Sequence, residues 1–346
     1  MATWPAILTR LSQGADLDAA DAAWTLDEVL GGRATDAQLA AFLMGMRAKG
    51  ETADEVSGLV EAMLAHATRI DVPGRAVDVV GTGGDGAHTV NISTMAALVV
   101  AGAGVRVVKH GNRAASSKTG TADVLAALGV NLDLPPARVA EVATEVGITF
   151  CFAPVFHPAM RFAGPVRKEL GMPTIFNILG PLTNPAQPAV SAIGVAPASL
   201  APVMATVMAM RGRDAILFRN EDGLDELAAT APTRVWEVND GVVTETVIDA
   251  AADLGLHPIG IDALRGGESE ENAAAVRSVL AGDSGPVRET VIANAALALA
   301  ADRTLPGTAQ GDLVTRMRAG MVAAANAIDS GAADATLQRW AKATRA

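Results

Sequence analysis

The pattern of apolar and polar positions divides the chain into three stretches. Over the first 70 residues apolar positions recur only at helical spacing. "TDAQLAAFLMGMRAKG" opens at a candidate N-cap, Thr35, and stops at Gly50, and "TADEVSGLVEAMLAHATR" repeats the pattern from Thr52. These predict a small helical domain. From Arg75 the texture changes to short β-branched runs alternating with helical segments: "AVDVV", 93–103, "VRVVK", 116–128, "ITFCFAP", 158–170, "AVSAIGVA", 199–211 and "DAILFR". That alternation predicts an α/β fold with a mainly parallel central sheet flanked by helices. "VWEVNDGVVTETVI" places two strand-like runs around Asn239-Asp240-Gly241, a hairpin signal, and the last third returns to helices at 270–282, 286–301 and 311–329.

Residues 174–210 carry no charge, but Pro181, Pro185, Pro188, Pro197 and Pro202 interrupt them, so they read as buried loop, strand and helix rather than a membrane span. At 346 residues the chain can form one large domain or two modest ones. Its 27 Lys and Arg against 38 Asp and Glu leave a net charge of −11. That disfavours coating nucleic acid or an anionic membrane, and any anionic ligand must be held by a local basic cluster. The single cysteine, Cys151, excludes an intrachain disulfide and reads as a buried strand residue. "MATWPAILTR" lacks the build of a signal peptide, so a cytoplasmic setting is expected.

After the first β-branched run, "DVVGTGGDGAHTVNIST" holds Gly81, Gly83 and Gly86 in the spacing G-x-G-x-x-G. A dinucleotide site needs an acidic residue at the end of the next strand for the ribose hydroxyls. Here the next strand ends in "KHGNR", residues 109–113, whose Lys and Arg suit phosphate instead. No Gly-Lys-Ser/Thr follows the glycines, so this is not a Walker loop either. Asn91, Ser93 and Thr94 of "NIST" stand at a predicted helix N-terminus, where unpaired amides favour an anion. "NRAASSKTGTAD", 112–123, adds small hydroxyl residues and Lys118 before another helix. An ordinary turn with an N-cap accounts for each piece alone. Together they describe a ligand with two phosphate groups on a sugar-sized spacer, such as a phosphorylated ribose bearing a diphosphate.

"EDGLDEL" supplies Glu221, Asp222, Asp225 and Glu226 after the strand "DAILFR". Taken alone it is a solvated turn capping a helix. Beside a diphosphate, Asp225 and Glu226 become candidates for Mg²⁺, a hard cation that shares carboxylates with substrate phosphates. Arg161, Arg167 and Lys168 lie on a predicted helix followed by an apolar, proline-bearing segment. This is either a basic surface helix or a slot for an aromatic carboxylate, with an arginine for the acid and an apolar wall for the ring. His88, His110 and His157 lie near these pieces, His66 and His257 do not, and none has metal-ligand spacing.

"GTGGD", "NIST", "KHGNRAASSKTGTADVL", "PTIFNILGPLTNP" and "DGLDE" together closely resemble the anthranilate phosphoribosyltransferases, in order and approximate spacing over nearly the whole chain. The resemblance implies a helical domain, 1–72, joined to an α/β domain, 73–346, with 160–185 joining the helical part at the hinge where the active site lies. It further implies a homodimer formed through the helical parts. It implies that phosphoribosyl diphosphate (PRPP) is contacted by Gly81, Gly84, Asp85, Thr89, Asn91, Ser93, Thr94, Lys109, His110, Gly111, Asn112, Arg113, Ala114, Ala115, Ser116, Ser117 and Thr121. By the same resemblance Gly81, Asn112 and Arg167 contact anthranilate, and Ser93, Asp225 and Glu226 bind Mg²⁺. "GTGGD" also resembles part of the pyrimidine nucleoside phosphorylases, an alternative activity. A non-catalytic nucleic-acid-binding relative is a third reading, which the acidic balance and the intact "DGLDE" oppose. Thr119 and Thr121 stand where serine is often found in the family, and "RNEDGLDE" lacks the upstream His or Ser often seen there.

Overall fold

The computed structural model describes residues 2–113 and 118–345. Four helices, α1 (Trp4–Ser12), α2 (Ala19–Leu30), α3 (Asp36–Lys49) and α4 (Ala53–Ala65), form the N-terminal part. Thr35 and Thr52 begin α3 and α4 as predicted. Each closes a capping box, with Gln38 and Glu55 respectively, which satisfies amides that a helix start leaves unpaired. Glu55, fully buried, also accepts from Leu17 N at 2.8 Å and from Lys49 Nζ at 2.8 Å, tying the turn before α2 to α4.

The strands β1 (Val77–Gly81), β2 (Val107–Gly111), β3 (Ile148–Phe152), β4 (Val190–Gly194), β5 (Asp214–Asn220), β6 (Thr233–Asn239) and β7 (Val242–Ile248) form one seven-stranded sheet in the order β3-β2-β1-β4-β5-β6-β7. The first five run parallel and β6 and β7 antiparallel. Asp240 and Gly241 both take positive φ, 50° and 76°, as a two-residue primed turn requires, so the predicted hairpin forms. Chain order reverses direction between β1 and β4, and in such sheets ligands bind beyond the strand C-termini at that point.

Alternation along the strands decides what each face covers. Val77, Val79, Ala192, Ile216 and Phe218 pack with helix α5 (Ile92–Gly102) and helix Pro286–Asp302. Val80, Ile193, Leu217 and Trp236 point to the other face, into an apolar cluster with helix Leu200–Met210. That second cluster continues into Phe42, Met46 and Leu59 of the N-terminal helices and takes in Ala163, Val166, Phe176 and Leu179.

Several predicted elements are displaced. The single helix expected over 158–170 is a 3₁₀ turn, Pro158–Phe162, and a separate helix, Gly164–Leu170. Pro165 lacks an amide and fits only a first turn, so a new helix starts there. The helix expected from 116 starts later, as α6 (Thr121–Ala127), where Asp123 accepts from Gly120 N at 3.0 Å. β2 lies two residues beyond the run "VRVVK". The uncharged stretch contains, besides β4 and helix Leu200–Met210, a short helix, Phe176–Leu182. Among the described residues no helix is long and apolar enough to cross a membrane.

Candidate active site

At the end of β1, Gly81 stands in register with Gly194 of β4. A Cβ on Gly81 would run into Asp225 Oδ2, and one on Gly194 into the Asp225 backbone oxygen, so these two glycines are what let the "DGLDE" turn close over the switch point. The next turn, 82–88, is a chain of left-handed residues: Gly83, Gly84 and Gly86 have φ of 62°, 82° and 76°. That conformation is cheap only for glycine. Gly83 N already donates to Asp225 Oδ2 at 2.7 Å. The loop's exit is stapled from the C-terminal part of the chain, with Gly266 N donating to His88 O and Val90 N to Leu264 O, both at 2.8 Å.

Asn91 stands at the N-cap position of α5 but makes no side-chain cap bond, and Ser93 and Thr94 occupy the first turn. Asn91 donates to Thr119 O at 3.2 Å and accepts from Asn272 Nδ2 at 2.9 Å, while Thr119 Oγ1 donates to Gly267 O at 2.9 Å. The glycine loop, the start of α5 and the approach to α6 are thus bound into one framework.

Beyond β4 and β5 the turn carrying "DGLDE" is not followed by a helix, unlike the bland reading of that motif. One oxygen each of Asp85, Asp225 and Glu226 lie within 4.8 Å of one another. Glu226 Oε1 accepts from Thr89 Oγ1 at 3.0 Å, whereas its Oε2 is buried with no hydrogen-bond partner among the described residues. Burial and the neighbouring Asp85 push the Asp225 carboxyl up to about 6, and burial with Asp225 and Asp85 raises Glu226 well above its usual value. Three crowded carboxylates, one with an orphaned buried oxygen, are a hard-oxygen donor set of the kind a divalent cation neutralises. Asp85 enters this group beside the two residues the sequence had nominated; the third nominee, Ser93, places its Oγ 3.3 Å from Lys109 Nζ instead.

The glycine pair gives a direct prediction. Gly194→Ala is expected to displace Asp225, lower kcat at least roughly tenfold and raise the Mg²⁺ concentration needed for half-maximal rate, in a protein that remains folded. An unchanged Mg²⁺ titration would mean the turn absorbs the methyl group.

Lys109, in the middle of β2, is fully buried; its Nζ donates to Val79 O and Ser93 Oγ, and burial lowers it to about 8 against the pull of Asp78 and Asp225. Gly111 closes the strand and Asn112 follows it, exposed. Arg113 pairs with Asp123 at 2.8 Å and lies 5.7 Å over the Phe152 ring. Thr121 is the first residue of α6. Ala114, Ala115, Ser116 and Ser117 lie outside the described residues.

Of the three basic residues after 158, Arg161 and Lys168 are exposed. Arg167 alone combines burial with an aromatic wall, its guanidinium 5.1 Å over the Phe176 ring, and burial lowers its pKa. Among the described residues it has no ion-pair partner and no hydrogen bond to Gly81 or Asn112.

The histidines divide as the sequence suggested only in part. His66 and His257 pair with Asp27 and Glu289, each at 2.7 Å, away from the site. His110 and His157 are buried 5.1 Å apart, donating to Gly180 O and Thr183 O at 2.9 and 3.0 Å. Desolvation takes His157 from 6.5 down to about 4 and His110 to about 3. Because protonation is disfavoured in the folded state, this stabilisation is fully present above about 6.5 and is lost as pH falls towards 4. His157→Gln removes that dependence, so wild type should lose about 2 kcal/mol relative to the variant between pH 7.5 and pH 5. Parallel curves of unfolding free energy against pH would show that His157 does not carry it. Burial also raises the Cys151 thiol well above its usual value, which suits a strand residue and not a nucleophile.

Sequence reasoning missed the buried polar residues behind the site: Asp78, Asn184 and Asn272. Asp78 had a visible signal, an acid inside the apolar run "AVDVV". Asn184 and Asn272 had none, since asparagine in a turn or helix start is ordinary.

The chain matches two family models, a glycosyl transferase family helical bundle domain over residues 5–67 and a glycosyl transferase family a/b domain over residues 73–334. The anthranilate phosphoribosyltransferase of Salinispora arenicola is 58% identical over 348 residues, covering 99% of this chain and 97% of that protein. That of Streptomyces griseus is 57% identical over 344 residues, covering 99% and 96%. Among solved structures, the Thermus thermophilus enzyme has a TM-score of 0.90 at 38% identity, covering 98% of this chain and 99% of its own. The Saccharomyces cerevisiae enzyme in complex with PRPP and Mg has a TM-score of 0.88 at 26% identity, covering 99% and 98%. The chain therefore belongs to the anthranilate phosphoribosyltransferase family, built from the helical and α/β domains of the glycosyl transferase models.

Proposed function

We propose that the protein transfers the 5-phosphoribosyl group of PRPP to the amine of anthranilate, releasing diphosphate and forming N-(5-phosphoribosyl)anthranilate for tryptophan biosynthesis. The observation that carries this reading is the carboxylate group of Asp85, Asp225 and Glu226 set against a left-handed glycine loop at the switch point of the sheet. The S. cerevisiae relative solved with PRPP and Mg supports Mg²⁺ as the cation. Asp225 and Glu226, with Ser93, would hold it, and it would supply charge neutralisation for the diphosphate.

The chain's own groups do the rest. Amides of the glycine loop and the start of α5, with Lys109, Asn112, Arg113 and the hydroxyls up to Thr121, hold the phosphates. As the C1–O bond breaks, its electron pair leaves with diphosphate and positive charge develops on the sugar. The amine lone pair then forms the C1–N bond from the opposite face, inverting C1, and the amine loses a proton. An aromatic amine is already neutral at pH 7, so orientation of its ring, with Arg167 on the carboxylate and Gly81 and Asn112 beside it, replaces a strong base.

The same reading divides the chain at 72/73, with 160–185 joining the helical part at a hinge, and takes the protein as a cytoplasmic homodimer paired through the helical parts. The test is loss of anthranilate fluorescence in a mixture of protein, anthranilate, PRPP and MgCl₂, with each component omitted in turn. Loss that requires all four is expected, together with no phosphorolysis of thymidine or uridine. A folded, PRPP-binding protein that leaves anthranilate untouched would move the assignment to another acceptor.

A further inference from the structure

β1 and β2 carry the two phosphate-binding strand ends, yet their ladder registers only Val77 with Val107 among the described residues. β1 pairs with β4 along all of Val77–Gly81, and β2 with β3 along all of Val107–Gly111. Beyond Val77 the ladder between β1 and β2 is replaced by side chains. Asp78, wholly buried, accepts from His110 N at 3.1 Å through Oδ1 and from Asn184 Nδ2 at 2.8 Å through Oδ2. Asn184 Nδ2 donates its second hydrogen to Val108 O at 2.8 Å. Lys109 Nζ crosses in the opposite sense to Val79 O.

A valine at 78 would leave an apolar strand like its neighbours, and an unbroken ladder would hold the two strands about 4.8 Å apart to their ends. A buried carboxylate is costly unless its oxygens are bonded, as they are here. We propose that Asp78 and Asn184 are positioning residues whose side-chain stitch sets the separation of the glycine loop from the Lys109–Arg113 segment, and through it the affinity for PRPP. This rests on the proposed function for the identity of the ligand. Neither residue needs to touch that ligand. Asp78 acts through the amide of His110, next to Lys109, and Asn184 ties both strands to the segment that follows Phe176. Asp78→Asn turns an amide donor towards Asn184 Nδ2, and Asn184→Ala removes the tie to Val108 while leaving the carboxylate bonded to His110.

The experiment is calorimetric titration of the full chain with PRPP and MgCl₂, alongside kcat and KM for both substrates, on wild type, Asp78→Asn and Asn184→Ala. In each folded variant the dissociation constant and KM for PRPP are expected to rise at least roughly tenfold while KM for anthranilate changes less than about threefold. PRPP affinity unchanged in a folded variant, whatever its thermal midpoint, makes the stitch a purely structural feature and overturns the inference. If Asp78→Asn does not fold, Asn184→Ala and Asn184→Ser decide by the same criterion. A wild-type chain that binds no PRPP would instead remove the proposed function, and this inference with it.

Discussion

Replacing Asp225 by Asn together with Glu226 by Gln is expected to lower kcat roughly 10²- to 10³-fold at millimolar Mg²⁺ while raising the thermal midpoint of the metal-free protein. The two effects share one cause. Three carboxylates with oxygens within 4.8 Å of one another repel in a site that excludes much of the solvent, and Glu226 Oε2 lacks a partner among the described residues. Folding tolerates that arrangement, and on the proposed function a cation with a diphosphate would exploit it. Neutral amides of the same shape relieve the repulsion and surrender the cation. Rate measured across an Mg²⁺ series, with scanning calorimetry in a chelator, reads both. An unchanged Mg²⁺ dependence would return the acidic turn to a solvated loop.

Arg167→Ala is expected to raise KM for anthranilate by about 10- to 100-fold, the loss of a charge-assisted hydrogen-bond pair, and to change KM for PRPP by less than about threefold. Stability should hold, because among the described residues the guanidinium satisfies no carboxylate; its ring contact is Phe176 at 5.1 Å. A half-buried arginine with an aromatic wall and no ion-pair partner among the described residues is ready for an anion from outside. Arg167→Lys keeps the charge but not the planar fork, and should recover only part of the affinity. Equal losses for both substrates would show that the acceptor carboxylate binds elsewhere.

Much of this was legible in the chain because it rests on local rules. Thr35 and Thr52 mark helix starts through their own backbone geometry, and Asp240-Gly241 is a turn wherever it occurs between strands. The glycines at 83, 84 and 86 announce a left-handed loop, and a lysine where a ribose-binding acid should stand argues for phosphate against a dinucleotide. The element boundaries at 158–170 and 116–128 were less legible, since a proline or a capping aspartate chooses among starts that periodicity leaves equal.

By itself, then, the sequence determined the class of fold, the helical and α/β parts and the family. Only the tertiary structure decided that Asp85, at 140 residues' remove from Asp225, joins Glu226 in one carboxylate group, that Gly194 clears the space for it, and that Arg167, unlike the exposed Arg161 and Lys168, is drawn in against an aromatic ring. It likewise decided that Asp78 and Asn184 stitch two strands whose ladder stops short. Spacing along a chain reports neighbours within a helix turn or a strand pleat. Which distant side chains meet depends on strand order and register, and those arise only when the whole sheet closes on its core.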